Sequence, residues 1–183
     1  MISRAGRSMT YPSRFQLVAA MNPCPCGFAG SLPEGRCRCT PGDVERYGRR
    51  VSGPLRDRID LWVTMPRMSA TAIVATREPE GSAAVGARVA AARARALLDR
   101  GGLNGRLRGQ ALRRACRLSR QVAARVVALS EEELASGRGT ERLLRVARTI
   151  ADLDGSMSVE AAHLDEAAWY RSPATRAAEA LAS

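Results

Sequence analysis

Four cysteines in two Cys-x-Cys pairs, Cys24 with Cys26 and Cys37 with Cys39, constrain this chain more than any other feature. Two such pairs joined by a short loop containing Gly and Pro can fold back so that four thiolates meet tetrahedrally. That is the arrangement a structural zinc ion takes. The usual zinc clip is Cys-x2-Cys, so the spacing C-x-C-x10-C-x-C is a tighter form of it. Zinc held by all four thiolates stands beside the alternative of a reduced, metal-free loop. A four-thiolate site would be closed and structural, with no open position for water or substrate. No stretch of about 18 apolar residues could span a membrane, and no charged-then-apolar leader opens the chain. A cytoplasmic location is therefore expected, where clustered cysteines are more often ligands than disulfides.

The residues on either side of the cysteines read as strands. Phe15 to Ala20 is an apolar run of strand length, and Asn22-Pro23 must end it, because proline donates nothing to a ladder. Ile59 to Val63 is a second apolar run, preceded by Arg46, Arg49, Arg50, Arg56 and Arg58 around Asp57. Taken alone, Asn22 is a turn residue. Taken alone, Arg58 is a surface partner for Asp57 or Asp60, and such pairs contribute little.

From Ser82 onward the pattern is helical. Val85, Val89, Ala92, Ala96 and Leu97 share one face, with Arg88, Arg93, Arg95 and Arg100 opposite, and Gly101-Gly102 stops the helix. A second helix is expected over Gln110 to Leu129, with Cys116 as a small core residue. Ser130 followed by three glutamates has the form of a capping box and predicts a new helix start. Thr140 is expected to cap a helix ended by Gly155, and Ser158 another that runs to Arg171. His163, the lone histidine, is given a structural role, and Trp169 and Tyr170 are expected to pack against the helices. Aromatics make up 4% of residues, so the core must be built from Ala, Val and Leu.

Net charge is +11 and every cation is arginine, since the chain has no lysine. That balance points to a phosphate-rich partner, nucleic acid first. The alternative is that the arginines are wet helix faces or complement an acidic domain. The absence of lysine also excludes the phosphate-binding loop G-x-x-x-x-G-K-[ST]. Nor does any apolar strand end in Asp-Glu to hold magnesium.

LVAAMNPCPCG, RYGRRVSGPLRDRIDL and LLRVARTIADL occur in this order, after ISRA near the start. Together they resemble the magnesium-chelatase-like AAA+ ATPases of the YifB/ComM group, from Ile2 to about Arg171. The likeness is to the second half of such a protein. It implies an α/β fragment: the C-terminal strands of an AAA+ core over 1–65, opened by a hairpin and carrying the four-cysteine loop 24–39. A linker, 66–81, would lead to an all-α helical lid over 82–172, and 173–183 would be a tail. It implies that Asn22 is the sensor-1 residue and Arg58 the arginine finger that reaches the ATP of a neighbouring subunit. Arg145 would be the sensor-2 arginine, with Arg148 beside it toward the nucleotide and Arg142 the remaining candidate. Arg56 departs from the family, which usually has leucine there.

The resemblance further implies a hexameric ring motor acting on DNA, as in branch migration during natural transformation. ATP and Mg would be bound by neighbouring subunits or by the missing N-terminal half, so this chain alone should not hydrolyse ATP. The alternatives are a stand-alone zinc-stabilised nucleic-acid-binding module and a non-functional remnant. Metal insertion into a porphyrin ranks lower, because the four-cysteine loop goes with the YifB/ComM branch.

Overall fold

The computed structural model describes residues 2–4, 6–10, 15–30, 35–65, 74, 80–132 and 136–171. The elements in order are β1 (Ile2–Arg4), β2 (Arg7–Met9), α1 (Pro41–Gly48), α2 (Gly53–Arg56) and α3 (Ser82–Arg100). A 3-10 turn (Asn104–Arg106) then leads to α4 (Gly109–Cys116), α5 (Arg120–Glu132), α6 (Gly137–Leu153) and α7 (Ala161–Trp169). The expected linker 66–81 lies almost wholly outside the described residues, as does the tail 173–183.

β1 and β2 form the expected hairpin, antiparallel with Ile2 opposite Met9, and Gly6 supplies the left-handed residue (φ 75°) of its turn. The two longer strands expected of an AAA+ core are not present. Residues 15–22 and 61–65 carry no ladder, and Phe15, Val18, Val63 and Met65 stand well exposed. Apolar alternation gives a strand its faces, but the ladder needs a neighbouring backbone. Among the described residues only the Trp62 N–H finds one, donating to the Tyr170 carbonyl at 2.8 Å.

The helical part matches the expected lid more closely. α3 has the predicted bounds and stops on Gly101 in the left-handed conformation. Its face is narrower than expected, with Ala92 and Ala96 buried but Val85, Val89 and Leu97 exposed. The expected helix over 110–129 is two helices. Arg117 turns left-handed (φ 48°) to end α4, and the Ser119 hydroxyl accepts the Val122 N–H at 3.2 Å to start α5.

Three further starts differ from expectation. Ser130 lies inside α5, where its hydroxyl meets that of Thr140 at 3.0 Å. α6 is capped by Ser136, which takes the Gly139 N–H at 3.2 Å, so Thr140 falls within the helix. α7 begins at Ala161, with His163 Nδ1 accepting the Glu160 N–H at 3.0 Å. At the other end of α6 the prediction holds. Ser156 donates to the Ala151 carbonyl at 2.8 Å and Gly155 to Asp152 at 3.3 Å, a Schellman closure around a left-handed glycine.

α4 to α7 enclose the core, built on Leu112, Cys116, Leu143, Leu144, Ala147 and Leu164. Cys116 is a core residue as expected, and Tyr170 packs on the cluster, while Trp169 is half exposed. No described helix is long and apolar enough to cross a membrane.

Candidate functional site

The cysteine loop folds back on itself. Cys24 Sγ lies 3.3 Å from Cys26 Sγ and 3.7 Å from Cys37 Sγ, and Cys26 Sγ lies 3.6 Å from Cys37 Sγ. All four sulfurs, Cys39 included, fall within 4.8 Å of one another. A tetrahedron with Zn–S bonds of about 2.3 Å has S–S edges of roughly 3.8 Å. The separations match that figure and are far too long for disulfides. The turn after the first pair is closed by the Gly27 N–H on the Cys24 carbonyl at 3.0 Å, with Gly27 at φ 80°. The Ala29 N–H then points at Cys24 Sγ from 3.3 Å.

The thiols divide in acidity. Backbone N–H groups of Arg38 and Phe28 bring Cys26 down to about 6. An N–H from Cys26 acts downward on Cys39 too, but the Cys26 sulfur, burial, and the sulfurs of Cys24 and Cys37 push it up to about 12. Four sulfurs this close could share a divalent cation with soft-ligand preference, which would hold all four as thiolates. The donor set fits zinc, held by Cys24, Cys26, Cys37 and Cys39.

Asn22 is placed by this loop. A Cβ added at Gly27 would lie 3.8 Å from Asn22 Nδ2, so the amide rests against the cysteine turn.

The segment after the cysteines builds two short helices that periodicity alone does not reveal. Thr40 and Asp43 form a reciprocal capping box, with the Asp43 N–H on Thr40 Oγ1 at 3.2 Å and the Thr40 N–H on Asp43 Oδ2 at 3.1 Å. Thr-Pro-Gly-Asp, with Pro41 at the first helical position, is the signal that would have found α1. Ser52 caps α2 more simply, its hydroxyl accepting the Leu55 N–H at 3.4 Å. Arg56 reaches back to the Gly48 carbonyl at 2.5 Å, tying α2 to the end of α1.

Arg58 lies just after α2, its guanidinium on the Pro54 carbonyl at 2.7 Å. Asp57 pairs not with Arg58 but with Arg142 of α6, at 2.7 Å across 85 residues. The finger segment is thereby tied to the lid. Between them lies a cavity of about 1000 Å³, lined by Arg58, Asp60, Arg108, Arg113, Arg138, Glu141, Arg142 and Arg145 among others. Arg142 is 6% exposed, and its Nε and Nη1 have no hydrogen-bond partner among the described residues. Burial and nearby Arg108 depress the Arg145 pKa, against the pull of Asp60 and Glu141. A dense set of guanidinium donors with two carboxylates is a cavity suited to a polyphosphate.

The structure thus brings Arg58, Arg142 and Arg145 to one cavity. It does not bring Arg148 or Asn22 there. Arg148 is 1% exposed and donates to the carbonyls of Ala115, Met157 and Ser156 and to Asp152 Oδ1. Arg142 and Arg148 are interior and Arg145 is half-buried, so of the α6 arginines only Arg138 stands on a wet face. Arg95 and Arg100 are likewise drawn inward. Arg95 donates to the Asp152 carbonyl at 2.6 Å and Arg100 to Asp152 Oδ2 at 2.6 Å. His163 holds Asp154 Oδ2 at 3.1 Å, a structural role as expected.

Residues 1–73 match the family described as magnesium chelatase, subunit ChlI. Residues 79–171 match its C-terminal counterpart. The chain is 42% identical over 172 residues to the YifB protein of Escherichia coli, covering 93% of this chain and 33% of that protein. It is 37% identical over 172 residues to the competence protein ComM of Haemophilus influenzae, with the same coverage. Over 152 residues it is 41% identical to the Rv2897c protein of Mycobacterium tuberculosis, covering 81% of this chain and 29% of that one. The chain therefore spans about a third of the length of the curated relatives it matches.

Proposed function

We propose, from the premise that this chain belongs to the magnesium chelatase subunit ChlI family, in its YifB/ComM branch, that it supplies the arginine side of a nucleotide site in an ATP-driven motor acting on DNA. The observation that carries this reading is the convergence of Arg58, Arg142 and Arg145 on one cavity. Arg58 acts as the arginine finger, its fixed charge stabilising the phosphoryl group in transfer. Arg145 acts as sensor 2, with Arg142 the buried guanidinium beside it. Asn22 is sensor 1, oriented by a zinc-organised loop. The phosphate-binding loop and the magnesium ligands belong to neighbouring subunits or to the N-terminal half that the longer relatives carry, in an oligomeric ring that the family suggests is a hexamer. The name of the Haemophilus relative connects that protein with competence, and the charge of +11 here is compatible with a DNA-acting role.

The test is a chimera in which this chain replaces the matched third of the Escherichia coli YifB protein. The chimera should hydrolyse ATP, and Arg58→Ala should lower its kcat by about 10³-fold or more, the range for arginine fingers. Arg145→Ala should raise KM as well as lower kcat. Unchanged hydrolysis in Arg58→Ala would remove the finger assignment.

A further inference from the structure

Residues 100–130 contain eight arginines and neither aspartate nor glutamate. Two of the eight are neutralised from elsewhere in the fold: Arg100 by Asp152 at 2.6 Å and Arg125 by Asp165 at 2.8 Å. The other six, Arg106, Arg108, Arg113, Arg114, Arg117 and Arg120, are exposed. None of them has a carboxylate within ion-pairing distance among the described residues. They sit on the 3-10 turn, the N-cap and body of α4, the three-residue turn after it and the first residue of α5. α4 is a ridge between two hollows: Arg108 and Arg113 line the large cavity, while Arg114 and Arg117 line a smaller one of about 230 Å³ on its other flank.

Arg117 adds an independent observation. Among the described residues it is the one non-glycine with positive φ, at 48°. It sits where helices usually place glycine to avoid the crowding of Cβ against the backbone. A cation held there against its conformational preference, with no acidic partner, marks a place where charge is wanted more than relaxed geometry.

We propose that this surface, through Arg106, Arg114, Arg117 and Arg120, docks on the phosphate backbone of duplex DNA. Four unpaired guanidinium groups call for a partner of dense, regular negative charge. The surface carries no aromatic residue anywhere in 100–130, so it has no platform on which unpaired bases could stack. A duplex, with its bases already stacked and its phosphates outward, needs none. Guanidinium groups donate to phosphate and to the oxygen of a 2′-hydroxyl alike, so the choice of DNA over RNA follows the DNA-acting reading above. The proposal rests on the DNA-acting part of the reading above and on none of its nucleotide part, so each can fail without the other.

The test is fluorescence anisotropy of the whole 183-residue chain with a labelled DNA duplex, across a salt series and without nucleotide. Each phosphate contact contributes about 0.9 to the slope of log K against log salt. The double variant Arg114→Gln/Arg117→Gln should flatten that slope by about 1.8. Arg46→Gln/Arg49→Gln, on exposed arginines of α1 and its C-cap that are paired with Asp43 and Glu45, should leave it unchanged. Arg117→Gly separates binding from folding: it should raise Tm while flattening the slope by about 0.9. The proposal is overturned if the wild-type chain does not bind. It is also overturned if both double variants lose slope equally, or if Arg117→Gly gains Tm with binding untouched. Equal or tighter binding of a double-stranded RNA of the same sequence overturns the commitment to DNA.

Discussion

Between residues 15 and 65 one described side chain, Cys24, is buried, whereas α4 to α7 close around Leu112, Leu143, Leu144 and Leu164. The first region is held by local devices: the thiol cluster, two helix caps, and the reach of Arg56 onto Gly48. Its large apolar side chains, Phe15, Leu17, Val18, Val63 and Met65, remain exposed. The second region carries its own core and its own polar network. Where no apolar core forms, order must come from a cross-link or a ligand, as small domains commonly show. The two regions meet through few contacts, notably the Asp57–Arg142 pair and the Trp62–Tyr170 backbone bond.

The sharpest way to test this contrast is to measure the metal content of the cysteine loop and then perturb it. Elemental analysis should find one zinc per chain, bound through Cys24, Cys26, Cys37 and Cys39. A structural zinc site contributes on the order of 10–16 kcal/mol of apparent binding free energy in isolated fingers. Chelation, or Cys24→Ser, should therefore abolish hydrogen-exchange protection in 24–58 while leaving α4 to α7 protected. Equal loss of protection in both regions would show that the helical core depends on the cysteine loop.

The reverse experiment strikes the helical region. Asp152 is 3% exposed and holds Arg100 and Asn104 on one carboxylate oxygen and Arg148 on the other. Asp152→Ala would leave Arg148 without a counter-charge and Arg100 with only the more distant Asp99, 3.8 Å away, a loss of about 3–5 kcal/mol. Urea denaturation followed by far-UV circular dichroism measures it, and zinc content should stay at wild-type level. A stability change below about 1 kcal/mol would mean that water already shares those charges.

Much of this contrast is legible in the chain, and the misses have physical causes. That the four cysteines come together is legible because their geometry depends on a few residues close in sequence. α3 and the Gly155 stop are read because periodicity and left-handed glycine are local signals. The strands over 15–20 and 59–63 fail because a ladder requires a partner backbone that the pattern cannot supply. The break at Arg117 fails because arginine gives no sign of a left-handed conformation, although Ser119 offered a cap. The inward turn of Arg95, Arg100, Arg142 and Arg148 fails because amphipathic reading sends every charge outward. It does not foresee one buried aspartate gathering several arginines. The acid-free run 100–130 was visible all along as a charge pattern rather than as a motif.

A smaller effect separates the two kinds of cysteine. Cys116 lies fully buried in the helical core, and that burial pushes its thiol from an ordinary value near 9 up to about 11, against the pull of Arg148 and Arg100. A thiol is neutral when protonated, so the fold favours the protonated form. Below about pH 9 the thiol is protonated in both states, and its contribution is fully present. As pH rises toward about 11 the unfolded chain releases the proton while the folded chain keeps it, so stability falls across that window. The loss is on the order of 2 kcal/mol at the upper end. Cys116→Ala should be less stable at neutral pH, since it opens a small cavity. It should nevertheless lack the additional decline between pH 9 and 11 that the wild-type chain shows in paired urea titrations. Alkylation sharpens the same point. In metal-free protein at neutral pH, Cys26, with its thiol near 6, should react first, and Cys116 only on unfolding. If Cys116 were alkylated at the rate of the loop thiols, the helical core would be opening as readily as the cysteine loop, and the contrast between the two regions would collapse.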